Sequence, residues 1–173
     1  MLLGEKSIRN YTIFVTGINT NLRASDILRI KIGMVRYLLP GQSVIMREKK
    51  TGKLRYMTVN GAVCGAVKLL IEELRDNDKL DDDYYLFQGD SPDVPLCVSA
   101  LSRCVKKWCE IVGLRGNYGS HTLRKTWGYH QRVTFGVDIP TLMMCFNHSN
   151  QRQTLYYLGI QEEEIREVFM NEI

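Results

Sequence analysis

Long hydrophobic runs, secretion signals and biased segments are all missing from this chain of 173 residues. No apolar stretch approaches the roughly 18 residues that a membrane-spanning helix requires. Residues 1–6 lack the order of regions that a signal peptide has. No internal repeat, low-complexity segment or clear interdomain linker interrupts the sequence. These absences predict a soluble, unexported protein with one globular domain over residues 1–173.

Paired cysteines are missing as well. An odd number of cysteines without a Cys-x-x-Cys pair indicates neither a disulfide framework nor a zinc knuckle, and a reducing cytoplasm is the expected location. Cys145 and His148 have a spacing that zinc sites use, but no second pair completes such a site. We therefore expect no metal and no cofactor. The five cysteines are Cys64, Cys97, Cys104, Cys109 and Cys145.

A strong excess of one charge is also missing. The chain has 23 Lys and Arg against 19 Asp and Glu, a formal net charge of +4 and a pI near 8.8. This balance is compatible with a polyanionic partner but is common among proteins that never meet one. The 45% of hydrophobic residues in a chain of 20.0 kDa can fill one core.

Helical spacing of apolar residues precedes and follows a central β region. Residues 8–19 carry a pattern dense enough for a buried helix, which Gly17 is expected to end. Ser25 is a candidate N-cap of a second helix, so Arg23 lies at a helix start. Further helices are predicted over residues 62–75, 98–112, 121–135, 139–146, 151–158 and 161–171.

Two short runs rich in β-branched and aromatic residues, 42–50 and 54–59, flank Thr51-Gly52-Lys53. This arrangement predicts a hairpin with glycine at the strained position of the turn. Residues 84–87 are expected to add a third short strand. The predicted fold class is therefore α+β, mainly helical, with a small three-stranded antiparallel sheet.

Six side chains form a set that can hold a phosphodiester and attack it without a metal. A guanidinium stays charged and grips two phosphate oxygens at once, whereas a phenol is mostly protonated at neutral pH and needs a base or an electropositive pocket. A histidine and an arginine three residues apart share one face near a helix N-terminus, where an anion is favoured. The set is Arg23, Lys50, His121, Arg124, His148 and Tyr157.

Four separated segments, in this order, resemble the catalytic domain of the tyrosine recombinases, the phage-integrase family. Thr16–Leu28 looks like the Thr-Gly…Leu-Arg-x-Ser-Glu/Asp-Leu box, with extra residues between Gly17 and the arginine. Lys50-Thr51-Gly52 stands where the family places its hairpin lysine. The other two segments are Ser120–Arg124, similar to the His-x-x-Arg box, and Asn147–Ser149 with Thr154–Tyr157, similar to the Gly-His-Ser…Thr-x-x-Tyr box. The resemblance covers about residues 12–160.

Spacing selects between two adjacent tyrosines. The family's nucleophile lies nine residues after the second histidine, which indicates Tyr157 and not Tyr156. Adjacent helical residues point about 100° apart, so only one of them can face a phosphate. We expect Tyr156 to pack.

The resemblance implies a role for each of the six side chains. Arg23 and Arg124 would clamp the phosphate, with His148 as a further donor. His121 would be the base for Tyr157, and Lys50 the acid that protonates the leaving 5′ oxygen. The product would be a 3′-phosphotyrosine intermediate that another 5′-hydroxyl reverses without ATP or metal. Site-specific recombination of a bacterial mobile element, by integration or excision, is the implied function, with double-stranded DNA as partner.

Two departures from the family pattern stand out. Phe146-Asn147 replaces the usual Leu-Gly before His148, although asparagine is the best substitute for glycine in a left-handed conformation. Little precedes the first predicted helix, so we expect the N-terminal core-binding domain that family members carry to be missing. A fragment and a minimal relative are both compatible with that absence.

Several neighbours of the six have plainer interpretations. Asp26 is expected to be structural, and Trp127 and His130 to be core or interface groups. Lys49 and Lys53 rival Lys50 for its role and are the candidate contacts to the DNA backbone.

The C-terminal helix, residues 160–173, allows two interpretations. It places Ile165, Val168, Phe169 and Ile173 at helical spacing. The helix either docks on its own core or, as is common in recombinases, packs on a neighbouring protomer. We expect self-association on DNA through it.

Two rival functions remain open from the sequence. A type IB topoisomerase shares the chemistry but rotates one duplex and needs no second site. A DNA-binding accessory protein would keep the fold without turnover.

Overall fold

The chain, in a computed structural model that describes residues 7–160 and 162–172, is mainly helical with a small antiparallel sheet, as predicted. None of the described helices is long and apolar enough to cross a membrane. The elements are α1 (Ile8–Thr20), α2 (Ala24–Ile27), α3 (Ile32–Val35), β1 (Ser43–Arg47), β2 (Leu54–Thr58), α4 (Gly61–Asp76), α5 (Val98–Ile111), α6 (Ser120–Val133), α7 (Ile139–Phe146), α8 (Gln151–Leu158) and α9 (Glu162–Val168).

The chain divides into two compact units, Met1–Arg124 and Lys125–Ile173, with the boundary inside the sequence of α6. In the first unit α1 packs along α4, and its Phe14 meets Trp108 of α5 edge to face at 6.0 Å between ring centroids. The core of this unit contains Ile13, Ile27, Leu70, Phe87 and Leu101, each at most 1% exposed. The prediction of one domain over the whole chain stays a prediction.

The predicted hairpin is confirmed, with β1 and β2 paired from Ser43↔Thr58 to Arg47↔Leu54. The loop closes because the Glu48 N–H donates to the carbonyl of Lys53 at 3.0 Å and the Gly52 N–H donates to the carbonyl of Glu48 at 2.9 Å. Gly52 has a φ of +68°, a left-handed conformation that glycine adopts without a steric penalty. The turn residue was thus placed correctly from the sequence.

The predicted third strand over residues 84–87 is wrong, because the sheet of the described chain has two strands. Tyr85 makes only an isolated bridge with Lys31. Leu86 and Phe87 are both buried, at 1% and 0% exposure, which the alternating faces of a strand on a one-sided sheet do not allow. The segment is therefore a core-filling loop.

Helix α1 does not end at Gly17 as predicted. It continues to Thr20 and is terminated by Asn21, whose φ of 54° is left-handed. A Cβ on Gly17 would lie 2.6 Å from Cδ1 of Leu123, so this glycine serves a close contact with the start of α6. Ser25 is not the N-cap of α2 either, since Arg23 occupies that position without a side-chain cap bond.

In the second unit α7 packs against α8 around Leu142, Phe146 and Leu158, each 0% exposed. Asp138 caps α7 through a hydrogen bond from the Thr141 N–H at 2.8 Å. That bond is the main reason why the pKa of Asp138 is lowered, with a second bond from the Thr141 hydroxyl adding to it. Helices α7 and α8 thus have the predicted bounds, 139–146 and 151–158.

Candidate active site

Arg23 precedes α2 in an extended conformation and points to the hairpin. Its Nη1 lies 2.5 Å from Oε2 of Glu48, and its side chain is 12% exposed. The prediction that Arg23 stands at a helix start is confirmed. Its ion-pair partner was not predicted.

Glu48, the first residue after β1, is a buried carboxylate between two guanidinium groups. Its Oε2 accepts a hydrogen bond from the Thr51 hydroxyl at 2.5 Å, and its Oε1 lies 4.0 Å from Nη1 of Arg55. Burial would raise the pKa of Glu48, but the bonds from Thr51 and Arg23 and the charges of Arg23 and Arg55 outweigh burial and lower it. The carboxylate is therefore ionised at neutral pH.

The hairpin tip presents Lys49, Lys50 and Lys53, all exposed. Its stem is tied to α2, because the Lys49 N–H donates to Oδ1 of Asp26 at 2.8 Å. Asp26 itself is 1% exposed, in keeping with a structural role. The structure thus brings Arg23 and the Lys50 loop together through backbone and side-chain bonds.

Helix α6 begins at Ser120, whose N–H donates to Oγ of Ser102 at 3.3 Å. One turn contains His121, which is exposed, and Arg124, which is 2% exposed. The predicted helix start is confirmed to within one residue. The Arg124 guanidinium is unusually buried, and a buried charge is costly unless hydrogen bonds or an opposite charge compensate it.

In the second unit, Asn147 ends α7 with φ 57° and ψ 38°, which confirms the left-handed turn predicted before His148. Nδ1 of His148 lies 3.1 Å from Oγ1 of Thr154, and Thr154 is 0% exposed. Because this contact fixes the orientation of the imidazole, the threonine of the Thr-x-x-Tyr segment holds the histidine in place.

Tyr157 is half-buried beside that histidine. The ring centroids of His148 and Tyr157 are 5.3 Å apart, and Phe146 stacks on His148 at 5.0 Å with an interplanar angle of 10°. Tyr156 is 72% exposed, with Nζ of Lys125 over its ring at 4.2 Å, so the prediction that it packs is wrong. Its ring makes a cation–π contact with Lys125 at the surface.

Two of the plainer predictions also have outcomes. Trp127 packs edge to face on Phe146 at 5.4 Å, as expected of a core residue. His130 is exposed, with Nδ1 3.0 Å from the Thr134 hydroxyl, so it is not a core group, and its role in an interface stays a prediction.

Three features of this region were not predicted from the sequence. Glu48 had no pattern of its own, since it pairs with a residue 25 positions earlier. Phe146 was noted only as a departure from leucine, and its stacking on His148 was not predicted. The exposed face of α5 carries Arg103, Lys106 and Lys107, three and four residues apart, and this spacing was visible in the sequence.

The structure therefore builds two partial sites. One joins Arg23 to the loop of Lys50, and the other joins His148 to Tyr157. His121 and Arg124 share the first turn of α6. The convergence of all six side chains on one phosphorus atom stays a prediction.

Comparison with known proteins points to one family. The Phage integrase family matches residues 3–164. The chain is 31% identical over 167 residues to a probable integrase/recombinase, YoeC, of Bacillus subtilis, covering 95% of this chain and 85% of that protein. It is 24% identical to tyrosine recombinase XerC of Staphylococcus epidermidis, covering 96% of this chain but only 54% of XerC.

Solved structures share the fold. The XerA recombinase superposes with a TM-score of 0.76 at 21% identity over 95% of this chain and 58% of its own. The XerH recombinase bound to palindromic difH substrate in a post-cleavage complex gives 0.77 at 19% identity over 95% of this chain and 47% of its own. The chain thus spans about half the length of the XerC relative and of these structures.

Proposed function

The chain belongs to the phage integrase family, and on that premise we propose that it cleaves and rejoins DNA at specific sites through a covalent 3′-phosphotyrosine. The observation that carries the proposal is the His148–Tyr157 pair, in which Thr154 orients the imidazole beside the phenol. A positioned donor next to a positioned nucleophile is what transesterification requires.

The six side chains divide the chemistry among them. Arg23 and Arg124 neutralise the charge that gathers on the non-bridging oxygens, and His148 donates to the same phosphate. His121 takes the proton of the Tyr157 hydroxyl as the phosphorus–oxygen bond forms. Lys50 returns a proton to the 5′ oxygen as its bond to phosphorus breaks. Atoms and protons balance without ATP, and the reverse step uses the 5′-hydroxyl of another strand.

The DNA contacts include charges beyond the site. Lys49 and Lys53 extend the exposed tip of the hairpin. The basic face of α5, formed by Arg103, Lys106 and Lys107, adds a second positive surface in the same unit. Lysine and arginine rows of this kind hold phosphates and position a protein on the duplex, without reading its sequence.

A nicked suicide duplex tests the proposal. Wild-type protein should form a covalent protein–DNA adduct that resists denaturing electrophoresis, and Tyr157→Phe should abolish it. Tyr156→Phe is the matched control and should retain the adduct, because Tyr156 lies on α8 with 72% of its surface exposed. An adduct that survives Tyr157→Phe would refute the assignment of the nucleophile.

The same assay separates the rivals. Tight binding without an adduct would indicate a non-catalytic accessory protein. Relaxation of supercoiled plasmid by a monomer, without a second DNA site, would indicate a type IB topoisomerase. Exchange between two sites supports the recombinase, in which a mobile genetic element is the natural substrate.

The exposed end of the chain supports assembly on DNA. In and after α9, Ile165, Val168, Phe169 and Met170 are 53%, 65%, 83% and 77% exposed. Glu164 ties α9 to its own unit through a two-pronged ion pair with Arg132. The apolar residues beside that tie are the surface by which protomers associate, although Ile173 lies outside the described residues. A DNA substrate supports a cytoplasmic location for the protein, which we propose together with its function.

A further inference from the structure

The buried carboxylate of Glu48 holds one side of the Arg23 guanidinium. Its Oε2 contacts Nη1 at 2.5 Å, and the Glu48 side chain is 1% exposed. A guanidinium has five N–H donors spread over three nitrogens. The contact is made at Nη1, and the Nε–Nη2 edge is a pair of donors with the geometry to grip two phosphate oxygens.

Glu48 also holds the loop that carries Lys50. The Thr51 hydroxyl donates to the same Oε2 at 2.5 Å, and Thr51 directly follows Lys50. The carbonyl of Glu48 accepts from the Gly52 N–H, which closes the turn around the lysine. A single residue therefore contacts both the arginine and the turn of the lysine.

A second contact strengthens this link. The Lys49 N–H donates to Asp26 of α2, the helix that begins directly after Arg23. The adjacent residues Glu48 and Lys49 therefore both hold the hairpin against this part of the chain. Arg55 lies 4.0 Å from Oε1 of Glu48 and donates to the carbonyl of Asn21 at 3.1 Å. The charge of Glu48 is thus shared by two guanidinium groups that would otherwise repel each other.

From this geometry we propose that Glu48 is a positioning residue, which orients Arg23 for the phosphate and sets the loop of Lys50 against it. The inference rests on the proposed function, because it assigns Glu48 to the same reaction. Glu48 touches neither substrate nor reacting atoms in this role. It acts through Arg23 and through the turn.

A plain stabilising ion pair is the competing explanation, and a double-mutant cycle separates the two. The variants are Glu48→Gln, which keeps the shape but removes the charge, Arg23→Ala and the double substitution. Duplex affinity is measured in a Tyr157→Phe background so that no adduct forms. Glu72→Gln, a half-buried glutamate on α4, is the matched control.

If Glu48 acts through Arg23, Glu48→Gln weakens binding more when Arg23 is present than in Arg23→Ala, where only its effect on the Lys50 turn is left. In the protein with Tyr157 intact, Glu48→Gln slows adduct formation by about 10- to 100-fold, as expected when a reacting group loses its support. Glu72→Gln changes neither quantity. Equal effects of Glu48→Gln in both backgrounds would overturn the inference.

Side-chain NMR of the free protein gives a readout that folding stability alone does not move. The Arg23 Nε–H signal, identified by its loss in Arg23→Lys, should change exchange rate in Glu48→Gln and stay unchanged in Glu72→Gln. An Arg23 signal that ignores Glu48→Gln contradicts the proposal. Absence of any Tyr157-dependent adduct would refute the function instead, while the binding cycle and this signal still decide the role of Glu48.

Discussion

Protonation of Glu48 is the step by which low pH affects the candidate site. Its folded pKa lies below the ordinary value of 4.5, because the bonds and charges of Thr51, Arg23 and Arg55 outweigh its burial. A lowered carboxyl pKa stabilises the folded state fully above the ordinary value, and this stabilisation is lost as the pH falls through the folded pKa.

We therefore predict that Glu48→Gln destabilises the protein by about 3 kcal/mol at neutral pH, since it leaves buried guanidinium charges uncompensated. The difference from wild type should shrink as the pH drops below about 4.5 and the wild-type carboxyl becomes neutral. Urea unfolding across this range measures it. Glu72→Gln should show little difference at any pH, and a gap that widens in acid would contradict the pKa direction.

Single residues also show what the sequence could predict. His121 and Arg124 were predicted to share a helix face because they are three residues apart, and both lie in the first turn of α6. His148 and Tyr157 were paired by the family's nine-residue spacing, and their ring centroids lie 5.3 Å apart. Glu48 was not recognisable, because its pairing with Arg23 depends on how the hairpin folds against α2, a contact that no local spacing encodes. The burial of Arg124 was likewise not predicted from the sequence.

At the scale of elements, the close contact between α1 and the start of α6 depends on a glycine, which has no side chain at the point of contact. Gly17 allows Leu123 to approach its Cα, and Leu123 immediately precedes Arg124. The sequence suggested a helix end here because glycine often terminates helices. Only the packing partner reveals that this glycine is an interior contact.

Gly17→Ala should therefore destabilise the fold by about 1–3 kcal/mol, through overpacking against Leu123. Thermal or urea unfolding gives the value. Gly65→Ala on α4 is the control, because nothing lies within 4 Å of its added Cβ. That variant should be stabilised by about 0.5–1 kcal/mol. Similar shifts for both variants would show that helix propensity, and not the α1–α6 contact, decides.

The basic face of α5 predicts a change in salt dependence. Replacement of Arg103, Lys106 and Lys107 by Gln should make the plot of log affinity for DNA against log salt less steep by about 0.9 for each phosphate that the protein no longer neutralises. Fluorescence anisotropy at several salt concentrations measures this slope. A charge-matched control replaces Lys68, Arg75 and Lys79, which are exposed on and after α4. Equal reductions of the slope would argue against a specific role for α5.

Secondary structure was predictable where its signal was local. The hairpin followed from its turn residues and β-branched flanks, and α7 matched its predicted bounds because Asp138 caps it. The third strand failed because residues 84–87 had the composition of a strand but bury consecutive side chains in a loop. Tertiary packing decided that segment.

At the scale of the whole molecule, the exposed apolar residues in and after α9 predict that protomers assemble through this surface. Ile165→Asp with Phe169→Asp should weaken formation of two-site complexes at least about tenfold, since each apolar side chain removed from an interface amounts to roughly 1.5 kcal/mol or more. Cleavage of an isolated half-site should persist. Sedimentation of protein–DNA complexes measures assembly.

The control for this prediction is Met144→Asp on α7, where an equally exposed apolar residue lies outside α9. Its complexes should form normally. Normal assembly by the α9 double variant would assign self-association to another surface. Failure of assembly in both variants would indicate a general effect of added negative charge.

The left-handed turn at Asn147 bears on how such proteins diverge. Its torsion angles, and not its side chain, set the approach to His148, so two residue types can occupy the position with the same outcome. A family consensus with glycine at this position counts Asn147 as a mismatch, although the backbone of this turn has the left-handed conformation. A substitution between glycine and asparagine at this turn leaves the backbone conformation unchanged. For distant relatives, the ability of a residue to adopt this conformation is therefore a better criterion at this position than its identity.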